Sequence, residues 1–132
     1  MAVRLYGLLT WTTFRRLPLL HPKVAAFLRR ILPKIADRYD ARVVEIGIVR
    51  SHVHLIVELS PRPDVPRLVQ GLKGASARIA NRDGYMPRAR LRWCADYEFR
   101  SIGVNDLQRA IAYVRDQNRR HPDLAVADER AL

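Results

Sequence analysis

A chain of 132 residues is about one domain's worth and long enough to bury a single core. Its 24 Lys+Arg against 13 Asp+Glu give a formal net charge of +11, which suits a polyanionic partner such as nucleic acid or an anionic membrane surface. One cysteine, Cys94, excludes an internal disulfide framework and a multi-cysteine zinc site, and no apolar run reaches the ~20 residues of a membrane span.

Residues 3–14 mix β-branched and aromatic types and end at Arg15 and Arg16, with Pro18 as a stop; they predict a first strand. From His21 to Tyr39, Val24, Phe27, Leu28, Ile31, Leu32 and Ile35 recur at three- and four-residue spacings. That is an amphipathic helix with Pro22 in its first turn and Pro33 as a point of kinking. Residues 42–49 and 52–59 are β-rich runs separated by Arg50 and Ser51, the spacing of a tight hairpin, although this dipeptide is not a favoured primed-turn pair.

Pro61, Pro63 and Pro66 then break the chain, and Val65, Leu68, Leu72, Ala75 and Ile79 predict a second helix as far as Asn81. Residues 82–90, "RDGYMPRAR", read as a basic loop, and Leu91 to Gly103 as a fourth strand or irregular strand pair. Asn105 is placed to cap a last helix carrying Leu107, Ala110, Ile111 and Val114 on one stripe, and after His121-Pro122 the chain turns polar. The expected organisation is one domain over residues 1–120 and a polar tail over 121–132. The order β-α-β-β-α-β-α predicts an α+β, ferredoxin-like split βαβ fold: an antiparallel sheet with helices on one face, plus a C-terminal helix that carries Tyr113. The other sheet face is open unless something covers it.

Within the second hairpin strand, Val53, Leu55, Val57 and Leu59 form one apolar face, so His52 and His54 lie on the other. A two-residue turn sets Gly47 across from His54 and Val49 across from His52, leaving space beside the second imidazole. Two imidazoles at i and i+2 can point at one cation, given further ligands from elsewhere. Alone the pair does not specify a metal site, because histidines on a polar sheet face are common. The last helix adds Tyr113 and Gln117, four apart on one face. Tyrosine, with an ordinary pKa of about 10, attacks a phosphodiester at neutral pH only with a metal or base nearby.

Taken together, "YGLLTWTTFRR", "SHVHLIVEL", "VPRLVQGLKGASARI", "LRWCADYEFRSIGV" and "AIAYVRDQ", in this order and spacing, resemble the single-tyrosine HUH transposases of small IS200-like insertion sequences and the related REP-associated tyrosine transposases. The resemblance spans almost the whole chain. It implies His52 and His54 as paired metal ligands, Gln117 as the third ligand and Tyr113 as the nucleophile. It further implies Mg²⁺ or Mn²⁺ as cofactor, single-stranded DNA with hairpins at the element ends as partner, and a 5′-phosphotyrosine intermediate. A homodimer is also implied, in which the tyrosine helix of one copy faces the histidines of the other. No membrane partner is implied, and the expected location is the cytoplasm of a bacterial or archaeal cell.

Two positions depart from the family pattern: Ser51 stands where many relatives have an acidic residue, and Asp96 where many have glycine. Neither removes a ligand, and no residue announces itself as a general base for Tyr113. Arg15, Arg16, Lys73 and Arg78 fall in matching segments and are expected to grip hairpin phosphates. Trp11, Trp93 and Tyr97 are either base-stacking platforms or core, with core the expectation for Trp93. A histidine-triad hydrolase needs a third alternating histidine and finds Ile56 instead. A non-catalytic or domesticated hairpin-binding protein of the same fold is the competing reading. It would favour exposed aromatics on the central strands, where the expected exposed residues are His52, His54, Val43, Glu45 and Ile56.

Overall fold

The structure, a computed structural model, describes residues 4–117. The polar tail and the C-terminal limit of the domain lie outside the described residues. Seven elements follow in chain order: β1 (Leu5–Thr12), α1 (Pro22–Asp37), β2 (Ala41–Val49), β3 (His52–Leu59), α2 (Val65–Arg82), β4 (Glu98–Ile102) and α3 (Leu107–Arg115). Short 3-10 turns stand at Phe14–Arg16 and Val104–Asp106. The sheet order is β2-β3-β1-β4, with every neighbouring pair antiparallel, the arrangement of two interleaved split βαβ units.

Alternation along the strands supplies the core. Leu9, Trp11, Val53, Leu55, Val57 and Leu59 face α1 and α2, which answer with Val24, Phe27, Leu28, Leu32 and Ile35 and with Leu68, Val69 and Leu72. Pro22 occupies the first turn of α1, where its missing N–H costs nothing, and the helix continues through Pro33 to Asp37. Asp64 caps α2 by accepting from the Arg67 amide at 3.1 Å.

The β2–β3 hairpin has the anticipated register, with Val49 opposite His52 and Gly47 opposite His54. Its Arg50-Ser51 turn lacks primed-turn chemistry but gains tertiary support: Leu20 N–H donates to the Arg50 carbonyl at 3.0 Å and Thr13 N–H to the Ser51 carbonyl at 2.8 Å.

The second face of the sheet departs from expectation. A bulge between Val43 and Glu45 sets Val43 opposite Val57, so Val43 turns toward the helical core instead of the other face. Ile56 and His54 are buried, because α3 folds back over β2 and β3. Thus α1 and α2 cover one face and α3 part of the other.

The predicted fourth strand is shorter than the run Leu91–Gly103: only Glu98–Ile102 pairs with β1. Residues 91–97 are instead tethered outside the ladder. The Asn81 amide grips Leu91 by both its N–H (2.7 Å) and its carbonyl (3.0 Å), and Lys73 Nζ donates to the carbonyls of Cys94 (2.5 Å) and Asp96 (3.2 Å). Asn105 falls inside a 3-10 turn and Asp106 is the N-cap of α3, its carboxylate paired with Arg109 one turn on instead of capping the backbone. Partial burial lowers the pKa of Lys73 below the ordinary lysine value. Lys73→Met removes two charge-assisted bonds and is expected to destabilise the fold by about 1–2 kcal/mol, read as a lower urea midpoint at unchanged m-value.

Candidate metal and nucleophile site

On β3, His54 is flanked by its cross-strand partners, Thr10 on β1 and Gly47 on β2. Thr10 Oγ1 lies 3.0 Å from His54 Nδ1, and Ser51 Oγ, at the buried hairpin turn, lies 3.2 Å from His52 Nδ1. The two imidazole rings stand 4.8 Å apart between centroids and nearly perpendicular, at 83°.

The C-terminal end of α3 sits directly on Gly47. A Cβ at that position would lie 2.6 Å from the Val114 carbonyl oxygen and 3.1 Å from Gln117 Cγ, closer than side chains tolerate, so the seat exists because residue 47 has no side chain. Arg115 secures the approach through Nη2 and Nε, at 2.9 and 3.2 Å from Glu45 Oε2. This docking buries Gln117 almost completely, at 1 % exposed. Its Nε2 donates to the Tyr113 carbonyl at 3.2 Å, which turns the amide oxygen the other way, and that buried Oε1 accepts no hydrogen bond among the described residues. The Tyr113 ring lies 6.2 Å from the His54 ring, at 86°, and is 38 % exposed on a cleft of about 780 Å³ lined also by Thr10, Arg100, Asp106 and Arg109.

The four residues singled out from the sequence as ligands and nucleophile therefore converge on one side of the sheet. Among the described residues no group of three or more His, Cys, Asp and Glu could hold a metal ion, so a cation at the two imidazoles would draw any further described ligand from another kind of donor. The Gln117 amide oxygen fits: a buried acceptor without a partner costs about 1–3 kcal/mol, and a divalent cation would satisfy it. Imidazole donors favour Mn²⁺ over Mg²⁺ on softness.

The expected phosphate contacts are placed differently from one another. Arg15 and Arg16 are exposed and both hold left-handed backbone, φ 54° and 55°, a conformation costly for non-glycine residues. The guanidiniums of Arg15 and Arg92 stack on Phe14, at 5.0 and 4.1 Å. Lys73 is committed to the two carbonyls described above. Arg78 is exposed, and it shares a cleft of about 650 Å³ with Arg82, Arg90 and Arg92, three arginines that the motifs alone do not single out. Their signal is nonetheless present in the chain: Arg78 and Arg82 are four apart on a helix, and Arg90 and Arg92 flank the buried Leu91. Trp11 is buried edge-on against Trp93, at 5.8 Å, and Trp93 donates from Nε1 to Ser76 Oγ at 3.1 Å. Trp93 is thus packed on the core as expected, and Trp11 offers no ring to bases.

Residues 2–117 match the family model described as "Transposase IS200 like". The chain belongs to the IS200-like transposase family. A curated relative, the ISDra2 transposase TnpA of Deinococcus radiodurans, is 37% identical over 70 residues, covering 53% of this chain and 50% of that protein. The match thus spans about half the relative's length. Among solved structures, one described as a transposase of Deinococcus radiodurans superposes with a TM-score of 0.68 at 26% identity, covering 96% of this chain and 95% of that one. A REP-associated tyrosine transposase, solved bound to a REP hairpin, gives a TM-score of 0.68 at 16% identity, covering 92% of this chain and 71% of that one, and speaks to the fold alone.

For this IS200-like transposase, Gly47→Ala must push α3 off its seat, because the obstructing atom is backbone. The expected cost is about 1–3 kcal/mol in chemical denaturation. The partly exposed Arg115–Glu45 pair is worth less, and Arg115→Ala should cost about 1 kcal/mol or below in the same measurement.

Proposed function

We propose that the protein is a metal-dependent single-stranded DNA transposase that cleaves and rejoins DNA at the ends of an insertion sequence through a 5′-phosphotyrosine intermediate. The observation that supports it most directly is the seating of α3 on Gly47, with Tyr113 beside His54 and the Gln117 amide oxygen buried at the same place.

In this reading, Tyr113 Oη attacks the scissile phosphorus as the phenol gives up its proton. A Tyr–O–P bond forms, the bond from phosphorus to the 3′ oxygen breaks, and that oxygen takes up a proton to become a free 3′-OH. Rejoining is the reverse attack. One phosphodiester replaces another, so the exchange is nearly isoenergetic and needs no nucleotide hydrolysis. His52, His54 and Gln117 would hold a divalent cation, which stabilises charge on the scissile phosphate and eases loss of the phenol proton. The hydroxyls of Thr10 and Ser51 orient the imidazoles, and the cleft beside Tyr113 admits a single strand.

Arg78, Arg82, Arg90 and Arg92 supply phosphate contacts outside this cleft. Arg82 is paired with Asp83 and Arg92 stacks on Phe14, yet the concentration of arginine in this cleft makes sense against a polyanion. We take the partner to be a DNA hairpin next to the cleaved strand, and the working assembly to be a homodimer. The resemblance implies that partner copies exchange their tyrosine helices, whereas α3 here lies on β2 and β3 of its own chain. The arginine cleft would serve equally a protein that binds hairpins without cutting them, which is the second reading.

Covalent capture separates the two. Single-stranded oligonucleotides from the DNA flanking the gene, mixed with protein and Mn²⁺ or Mg²⁺, should give a DNA-linked band on a denaturing gel. Tyr113→Phe and chelation should abolish it, and His54→Ala should reduce it by roughly 100-fold or more. Tight hairpin binding with no adduct under either cation would establish the binding reading instead. Arg90→Ala and Arg92→Ala should weaken hairpin binding and flatten its log–log salt dependence by about one unit for each phosphate that is no longer neutralised.

A further inference from the structure

Each of the two histidines has a hydroxyl of its own chain at the same ring nitrogen. Thr10 Oγ1 meets His54 Nδ1 at 3.0 Å and Ser51 Oγ meets His52 Nδ1 at 3.2 Å. These hydroxyls come from different elements. Thr10 is the β1 residue directly across from His54, and Ser51 is buried in the hairpin turn, its carbonyl held by the Thr13 amide. Both are therefore fixed by backbone pairing, and neither belongs to a mobile surface side chain.

We infer that Thr10 is a positioning residue for metal binding, holding the Nδ1 edge of the His54 ring so that Nε2 is presented to a cation, with Ser51 doing the same for His52. The inference rests on the proposed metal site. A neutral imidazole has one proton for two nitrogens, and lending Nε2 to a metal requires that proton on Nδ1. A hydroxyl at Nδ1 can accept from that N–H once a cation takes Nε2, and its hold on that ring edge stops rotation about χ2, which would otherwise exchange the two edges. Gly47, across from His54 on β2, has no side chain to set against the ring, and the hydrogen bond to Thr10 fixes the orientation from the β1 side. Neither hydroxyl touches the reacting phosphate in this scheme; both act through the imidazoles.

The test uses the full chain with histidine ring nitrogens labelled. With Mg²⁺ bound to the wild-type protein, ring ¹⁵N–¹H correlation spectra should show a His54 Nδ1–H that exchanges slowly with solvent. Thr10→Val, which keeps the side-chain shape, should speed exchange of that proton, and Thr10→Ser should restore its protection. In parallel, Mn²⁺ titration followed by electron paramagnetic resonance should show affinity falling about 10–100-fold in Thr10→Val and returning with Thr10→Ser. Ser51→Ala should act in the same way on His52, which provides a second reading should Thr10→Val fold poorly. Unchanged Nδ1–H exchange and unchanged Mn²⁺ affinity in the valine and alanine variants would overturn the positioning role while leaving the metal site intact. Failure of the wild-type protein to bind Mn²⁺ would remove the metal site and this role together.

Discussion

The candidate site depends on one steric fact: α3 reaches the sheet only because residue 47 is glycine. The Val114 carbonyl occupies the space that a side chain would need, and everything at the C-terminal end of α3 follows from that contact. Val114 and Gln117 are buried by it, Ile56 and His54 lose solvent beneath it, and Tyr113 is brought beside His54. The Glu45–Arg115 pair adds direction more than strength, since exposed ion pairs contribute little. Gly47 gives up side-chain packing in a strand, a local cost that the docked helix offsets by excluding water from a polar cluster.

Sheet alternation divides the molecule into two jobs. One face is a conventional aliphatic core under α1 and α2 and contributes stability. The other carries two histidines, two hydroxyls and an amide under a single short helix, and holds the proposed site. A buried polar cluster of this kind is expensive when half satisfied, and among the described residues nothing donates to the buried Gln117 oxygen. On the proposed function, a cation there would turn that oxygen into a ligand. Away from this face, the arginine cleft concentrates charge where Asn81 clamps Leu91, fixing the backbone between Arg90 and Arg92.

Much of this is legible in the residues alone, because it rests on short-range periodicity. The period-two pattern of β3 separates the histidines from the core, and the two-residue turn sets the Gly47–His54 register directly. What escapes a reading of the residues depends on contacts distant in sequence. The Arg50-Ser51 turn is held by Leu20 and Thr13, not by its own conformational preference. The bulge that rotates Val43 has no glycine or proline to mark it in the stretch Arg42-Val43-Val44-Glu45. Lys73 looks like any solvated helical cation until the 91–97 segment folds over it. The covering of Ile56 by α3 likewise cannot be read from either segment separately, since each is amphipathic on its own terms.

The most direct test of the central claim, that α3 closes a cation site against β3, is paramagnetic broadening by substoichiometric Mn²⁺ in NMR spectra of the full chain. Broadening falls off with the sixth power of distance, so it reports which groups surround the ion. The account predicts that the Gln117 side-chain amide, the His52 and His54 rings and the Tyr113 ring lose intensity first, ahead of signals from the arginine cleft. Broadening of the two histidines without Gln117 and Tyr113, or strongest broadening elsewhere in the molecule, would contradict it.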